Sequence, residues 1–441
     1  MRVTNQLTTG FRSVVRLAWT SGLPHLIVAL VAIQGASYIV QLAIARSVSP
    51  ADFGIVRTVE SSFAVALVIA VVGLPSLAIK SVAGMETLQL QGRLLRRIVG
   101  LVLFTSTVTA AVIAVTARFI VSPSAAPWLA GLAFLLVPVA IARTCVNFFQ
   151  ALRIVQRISM LVAIGSAIGL TIVIALVARY GLAGWLAGRY VAEALLAGIA
   201  LAMCWPYLRL SAVLPASVHP RALLLEGTTV SSSLLVRSAI DNVPVLSLGW
   251  FAVAAADIGY FGLGSLIAAA LLLFPAAMNT LAIAPLVTRL RQGSGAARRL
   301  FVRVHLASAA TTVPVALCLI AALPWLLSVL APAYLPATGL LRALIAVVPL
   351  RSATTASGNT LLAAGRIRVS LWCNVATLAL CLAALTLLVP SHGATGAVIS
   401  IVVAETASAV MFAWGAARSV GAASVSSETL TAGMLRQELV D

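Results

Sequence analysis

Ten ionisable side chains sit inside stretches of chain that are otherwise apolar. Arg143 falls in the run near residues 126 to 150, Arg189 and Glu193 in that near 182 to 204, and Arg237 with Asp241 in that near 229 to 251. Arg342 and Arg351 lie near 337 to 361, Glu405 near 394 to 416, and Arg57 and Glu60 open the run near 56 to 79. A charge held in hydrocarbon costs roughly 2.5 to 3.5 kcal/mol on insertion scales, so such groups face a cavity or a partner. Arg189 with Glu193 and Arg237 with Asp241 are one helical turn apart and can neutralise each other. Arg143, Arg342 and Arg351 have no acid within four residues, so a wet cleft or an anion is the expected way to hold them. A guanidinium is a rigid fork of donors that matches phosphate oxygens and stays protonated. The candidate substrate-binding set is therefore Arg57, Arg143, Arg237, Arg342 and Arg351, acting on a phosphate-bearing amphiphile. For Arg57 and Arg342, reaching up to a nearby membrane surface is the competing reading. Glu60 and Asp241 are the candidates for coupling an ion.

Uncharged polar clusters accompany these charges. Ser231, Ser232, Ser233, Asn147, Gln150, Thr354, Thr355, Ser357 and Asn359 suit sugar hydroxyls, and suit hydrogen bonds between helices equally well. Catalysis has little to stand on. His25, His219, His305 and His392 have no neighbours at ligand spacing, and no Gly-rich phosphate loop with a lysine is present. Cys145, Cys204, Cys318, Cys373 and Cys381 lie in or beside apolar runs and read as packing residues. We expect no enzyme, no metal and no cofactor.

The elements that must position these residues are membrane spans. Hydrophobic residues make up 61% of the 441, charged residues 9%, and the mean hydropathy is +1.10, far from a soluble domain. Besides the runs already named, spans are expected near 23 to 45, 98 to 117, 158 to 178, 258 to 283, 302 to 323 and 368 to 389. The expected fold is all-α, with about twelve transmembrane helices in two bundles of six. Residues 23–204 form the first lobe, 205–227 a proline- and arginine-bearing linker and 228–417 the second lobe. Segment 1–22, with Phe11, Val14, Val15, Ala18 and Trp19 set against Arg12 and Arg16, suits a helix in the membrane interface, and 418–441 is a polar tail. No cleavable signal is evident. The net charge of +18 collects at one set of span ends, including Arg93, Arg96, Arg97, Arg157, Arg209, Arg221, Arg298, Arg299, Arg303, Arg366 and Arg368. That asymmetry places both termini in the cytoplasm. Such loops set topology and touch membrane lipid; no nucleic acid is expected.

The chain repeats itself. Ala51-Asp52-Phe53-Gly54 recurs as Ala256-Asp257-Ile258-Gly259, an offset of 205 (257 minus 52). Asn147 pairs with Asn359, Gly181 with Gly393, Gly184 with Gly396 and Val191-Ala192-Glu193 with Val403-Ala404-Glu405, an offset of 212 (405 minus 193). Two six-span units in the same chain direction, with a substrate path between them, are what a parallel-repeat transporter presents.

Ala45-Arg46-Ser47-Val48-Ser49-Pro50-Ala51-Asp52-Phe53-Gly54 resembles the segment that ends the first span of bacterial polysaccharide flippases. Val48 and Ser49 replace the usual Leu-Gly. Gly73-Leu74, Asn147 with the region of Arg153, and Gly181-Leu182-x-Gly184 fit the same pattern. The chain thus resembles the oligosaccharide flippase branch of the multidrug/oligosaccharidyl-lipid/polysaccharide exporter superfamily. That resemblance implies a bacterial plasma-membrane protein that turns a polyprenyl-diphosphate-linked oligosaccharide between leaflets by alternating access. It also implies glycosyltransferases and a glycan polymerase or ligase as partners. A cation-coupled multidrug exporter of the same superfamily is the nearest alternative; the surplus of embedded arginines over acids argues against it. A peptidoglycan-precursor flippase would be expected to carry extra spans. A membrane glycan polymerase or ligase would need a large external loop, and a membrane scaffold without transport is the last alternative.

Overall fold

The computed structural model describes residues 35–437, apart from 36, 84, 86, 153, 211–218 and 293. The expected interfacial segment, most of the first span, the middle of the linker and residues 438–441 lie outside the described residues. Those described form helices and connecting turns, without a strand.

In chain order the helices are α1 (37–47), α2 (Pro50–Val71), α3 (Leu74–Ala83), α4 (Leu88–Ile120), α5 (Ala126–Ala133), α6 (Leu136–Ala151) and α7 (Val155–Leu208). The second half holds α8 (Pro220–Trp250), α9 (Ala255–Leu271), α10 (Leu273–Leu281), α11 (Ile283–Gln292), α12 (Ser294–Leu330), α13 (Thr338–Ala346), α14 (Val348–Ala363) and α15 (Ile367–Gln437). A 3-10 segment, Pro332–Ala337, joins α12 to α13. The motif at the end of the first span starts α2: Ser49 Oγ accepts from the Asp52 amide at 3.1 Å, and Pro50 fills the first helical position, where its missing N–H costs nothing.

Two helices are far too long for one crossing. At 1.5 Å per residue, the 54 residues of α7 would run about 80 Å through a core about 30 Å thick. Each folds back at a glycine in the left-handed region, Gly181 (φ 57°, ψ −133°) and Gly393 (φ 55°, ψ −132°). The fold-backs are tight hairpins. A Cβ on Gly184 would fall 1.9 Å from the Leu176 carbonyl oxygen and one on Gly188 2.9 Å from Val173 Cα, while one on Gly396 would fall 2.2 Å from the Leu388 carbonyl oxygen. Small residues thus let antiparallel backbones touch where lipid supplies no hydrophobic drive between helices. Gly169, by contrast, faces open space.

Among the described residues, seven helices are long and apolar enough to cross a membrane, or eight when α5 and α6, bent by 47°, count as one span. The two hairpins count double. With α1 and with α8, whose charges set it apart, the described chain follows the expected all-α, polytopic path. The largest buried cluster fills the space among α2 to α7 and continues through Leu263, Tyr334 and Leu341 into the second half; another, around Val245, Leu248, Ala397 and Ile401, lies wholly within the second half.

Candidate functional site

The helix α2, continued by α3, is the seam between the halves. Near its start, the two copies of the repeated motif meet. A Cβ on Gly54 would lie 2.0 Å from the Ala255 carbonyl oxygen, and one on Gly259 1.9 Å from that of Pro50, so only glycine allows this approach. One turn on, the stem of Arg57 crosses Gly262, where a Cβ would fall 2.5 Å from Arg57 Cγ. Phe53, Tyr334 and Tyr260 stack edge to face beside the glycines, with centroids 6.2 and 5.7 Å apart. Tyr334 is fully buried, and its hydroxyl has no hydrogen-bond partner among the described residues. At the same end Trp250 Nε1 donates to the Ile120 carbonyl of α4 at 2.7 Å. Toward the opposite, basic end, α2 and α3 close on α8 instead. A Cβ on Gly73 would sit 2.4 Å from the Gly227 carbonyl oxygen, and Ser231 Oγ donates to the Val68 carbonyl at 3.0 Å.

Between these contacts lie the embedded charges, and most have found one another. Arg57 stands 3.6 Å from Glu60, which also accepts from Gln41 Nε2. Arg189 stands 3.6 Å from Glu193, Arg237 3.3 Å from Asp241, and Arg351 2.8 Å from Glu405. The last pair corrects the expectation that Arg351 has no acid: its partner is 54 residues away in sequence (405 minus 351) and adjacent in space, on α15. Glu405 is only 4% exposed, so α15 supplies a counter-charge where hydrocarbon would otherwise meet a bare cation. Arg342 is accounted for differently. Its Nε donates to the Ile320 carbonyl at 3.0 Å. That carbonyl would normally bond the amide four residues on, but residue 324 is proline and has none.

Arg143 remains. Among the described residues it has no carboxylate within 4 Å, although the charges of Glu193 and Arg189 reach it. Its side chain is accessible at the surface and yet crowded by the helices around it. Arg237 is the same: 42% exposed at its side chain, crowded by protein, and within the field of both Asp241 and Glu405. Tyr38 of α1 feels Arg57 from one half and Asp241 from the other. The structure therefore brings Arg57, Arg143, Arg237 and Arg351, with Glu60 and Asp241, to the neighbourhood of the seam, while Arg342 holds α12.

Sequence reasoning overlooked a cavity within the first half. About 300 Å³ in volume, it is lined by Gln41, Glu60, Arg189 and Glu193 among apolar neighbours including Leu161 and Val173. Gln41 Oε1, Glu60 Oε1 and Arg189 Nε are buried there without hydrogen-bond partners among the described residues. The signal was available, since Gln41, Glu60 and Glu193 each interrupt an apolar run, but nothing in spacing links three separate spans. The uncharged polar residues are mostly spent on structure. Ser232, Ser233, Thr354 and Thr355 bond carbonyls of their own helices, and Ser357 meets His305 Nε2 at 2.9 Å. Asn279, Ser308 and Ser352 tie α10, α12 and α14 together. Among the described residues no group of His, Cys, Asp or Glu suits a metal.

Together, the long apolar helices and the two hairpins define a multi-pass, all-helical membrane protein. Over residues 21–291, more than half of the chain, the sequence matches the family described as polysaccharide biosynthesis protein, and the chain belongs to that family. No curated protein matches it. Among solved structures, the lipid II flippase MurJ in an inward closed conformation is similar with a TM-score of 0.71 at 11% identity, over 90% of this chain and 89% of that one. An inward-facing multidrug resistance MATE family transporter of the MOP superfamily gives 0.69 at 13%, over 90% and 98%. An outward-facing one gives 0.56 at 13%, over 93% and 96%. At these identities the likeness is one of fold alone, while the family match agrees with the resemblance carried by residues 45–54.

Proposed function

We propose that the protein carries a polyprenyl-diphosphate-linked oligosaccharide across a bacterial plasma membrane, its basic face and both termini in the cytoplasm, for assembly of a surface polysaccharide. The observation that carries this reading is the pair Arg143 and Arg237, solvated but walled in beside the seam. A diphosphate is the headgroup such guanidiniums favour, and a cleft between halves leaves the lipid tail free in the bilayer. Alternating access supplies the movement: the motif contact at Gly54 and Gly259 parts as the outer end opens, while the contact of Gly73 with Gly227 holds the basic end. The greater overlap with inward structures than with the outward one supports reading this state as closed on the outer side. Glu60, already bonded to Gln41 and Arg57, and Asp241 beside Arg237 are the acids best placed to take up a coupling ion. Glycosyltransferases would supply the substrate and a polymerase or ligase would use it. The test is glycan export at matched protein level. Arg143→Ala and Arg237→Ala are each expected to lower it at least tenfold, and unchanged export in both defeats the proposal.

A further inference from the structure

The start of α12 carries a second recess, on the basic face and apart from the cleft. Of about 430 Å³, it is lined by Gly295, Arg298, Arg299, Val302 and Arg303. All three guanidiniums are exposed, and among the described residues none has a carboxylate within ion-pair distance. Arg299 and Arg303 lie one turn apart, where like charges repel. Gly295 leaves open space beside the backbone. What lies below the arginines identifies the ligand. Val302, Leu306, Val313 and Leu317 continue along one face of α12 as exposed apolar side chains, 45%, 64%, 39% and 61% accessible. A soluble anion has no use for that stripe; an amphiphile does.

We propose that this recess binds the phosphate headgroup of an anionic phospholipid of the leaflet it faces, with an acyl chain along the apolar stripe. The site stands independently of the transport reading. The experiment uses the full-length protein in phosphatidylcholine nanodiscs doped with phosphatidylglycerol, with retained lipid counted by native mass spectrometry. Neutralising three arginines as R298Q/R299Q/R303Q is expected to weaken phosphatidylglycerol retention roughly a hundredfold, at about fivefold per basic residue. R366Q/R368Q, which removes exposed arginines from the α14–α15 connection and the first turn of α15, should leave it intact. Equal unfolding temperatures in pure phosphatidylcholine show that the variants fold; should the triple variant fail, R299Q and R303Q must each cost about fivefold. Retention by the triple variant, equal loss in the control pair, or displacement of the lipid by inorganic phosphate at lipid-equivalent concentration overturns the proposal. So does binding of undecaprenyl diphosphate with no binding of phosphatidylglycerol.

Discussion

Gly54→Ala places a methyl group 2.0 Å from the carbonyl oxygen of Ala255. An unstrained contact needs about 3.5 Å, so α2 and α9 must part by about 1.5 Å. Neither helix yields easily, because Gly259 opposes Pro50 just as closely and Arg57 is wedged across Gly262. Overpacking of this kind costs about 1–3 kcal/mol. Placed on one of two conformational states, that cost shifts their ratio by about five- to 150-fold, toward the state in which this end has opened. The control is Gly184→Ala, whose methyl would sit 1.9 Å from the Leu176 carbonyl oxygen, an equal intrusion contained within one hairpin. Spin labels at Ser124 and Ala254, both exposed at this end, in a chain freed of its five cysteines, report the separation by double electron-electron resonance. A longer-distance population should grow for Gly54→Ala and Gly259→Ala but not for Gly184→Ala. Identical distance distributions in all three folded variants refute the argument that the motif glycines hold this end shut.

Two further outcomes follow from the charges. Glu405→Gln strands Arg351 in a dry site and should destabilise the protein by about 3–5 kcal/mol. Replacing both partners by Met should restore most of the loss, and thermal unfolding in detergent orders the three proteins. Arg342→Leu leaves the Ile320 carbonyl bare and should cost about 1.5–3 kcal/mol, but less in a Pro324→Ala background, where an amide returns to position 324. A double-mutant cycle should give a coupling of at least about 0.5 kcal/mol, and strict additivity removes the assigned role.

The membrane class, the helical passes and the hairpin turns at Gly181 and Gly393 were legible because each depends on composition or on a local break in a run. Helix pairs within four residues, Arg189 with Glu193 and Arg237 with Asp241, were legible for the same reason. Arg351 with Glu405 was not, although the matched Glu193 and Glu405 hinted at equivalent positions: a charge pair between helices depends on register, which spacing along one helix does not encode. Arg342 was misjudged because its partner is a backbone carbonyl freed by a proline on another helix. The motif at Ala51 to Gly54 is legible as a recurring segment and as a family resemblance, whereas its physical meaning, one copy seated against the other, needed coordinates.

Tyr334 adds a final turn. Its hydroxyl, sealed between Phe53 and Tyr260 with nothing to bond, burdens the shut arrangement by about 1–3 kcal/mol. Water entering as the helices separate would relieve that burden. This corner is thus spring-loaded, and Tyr334→Phe should make it a reluctant door.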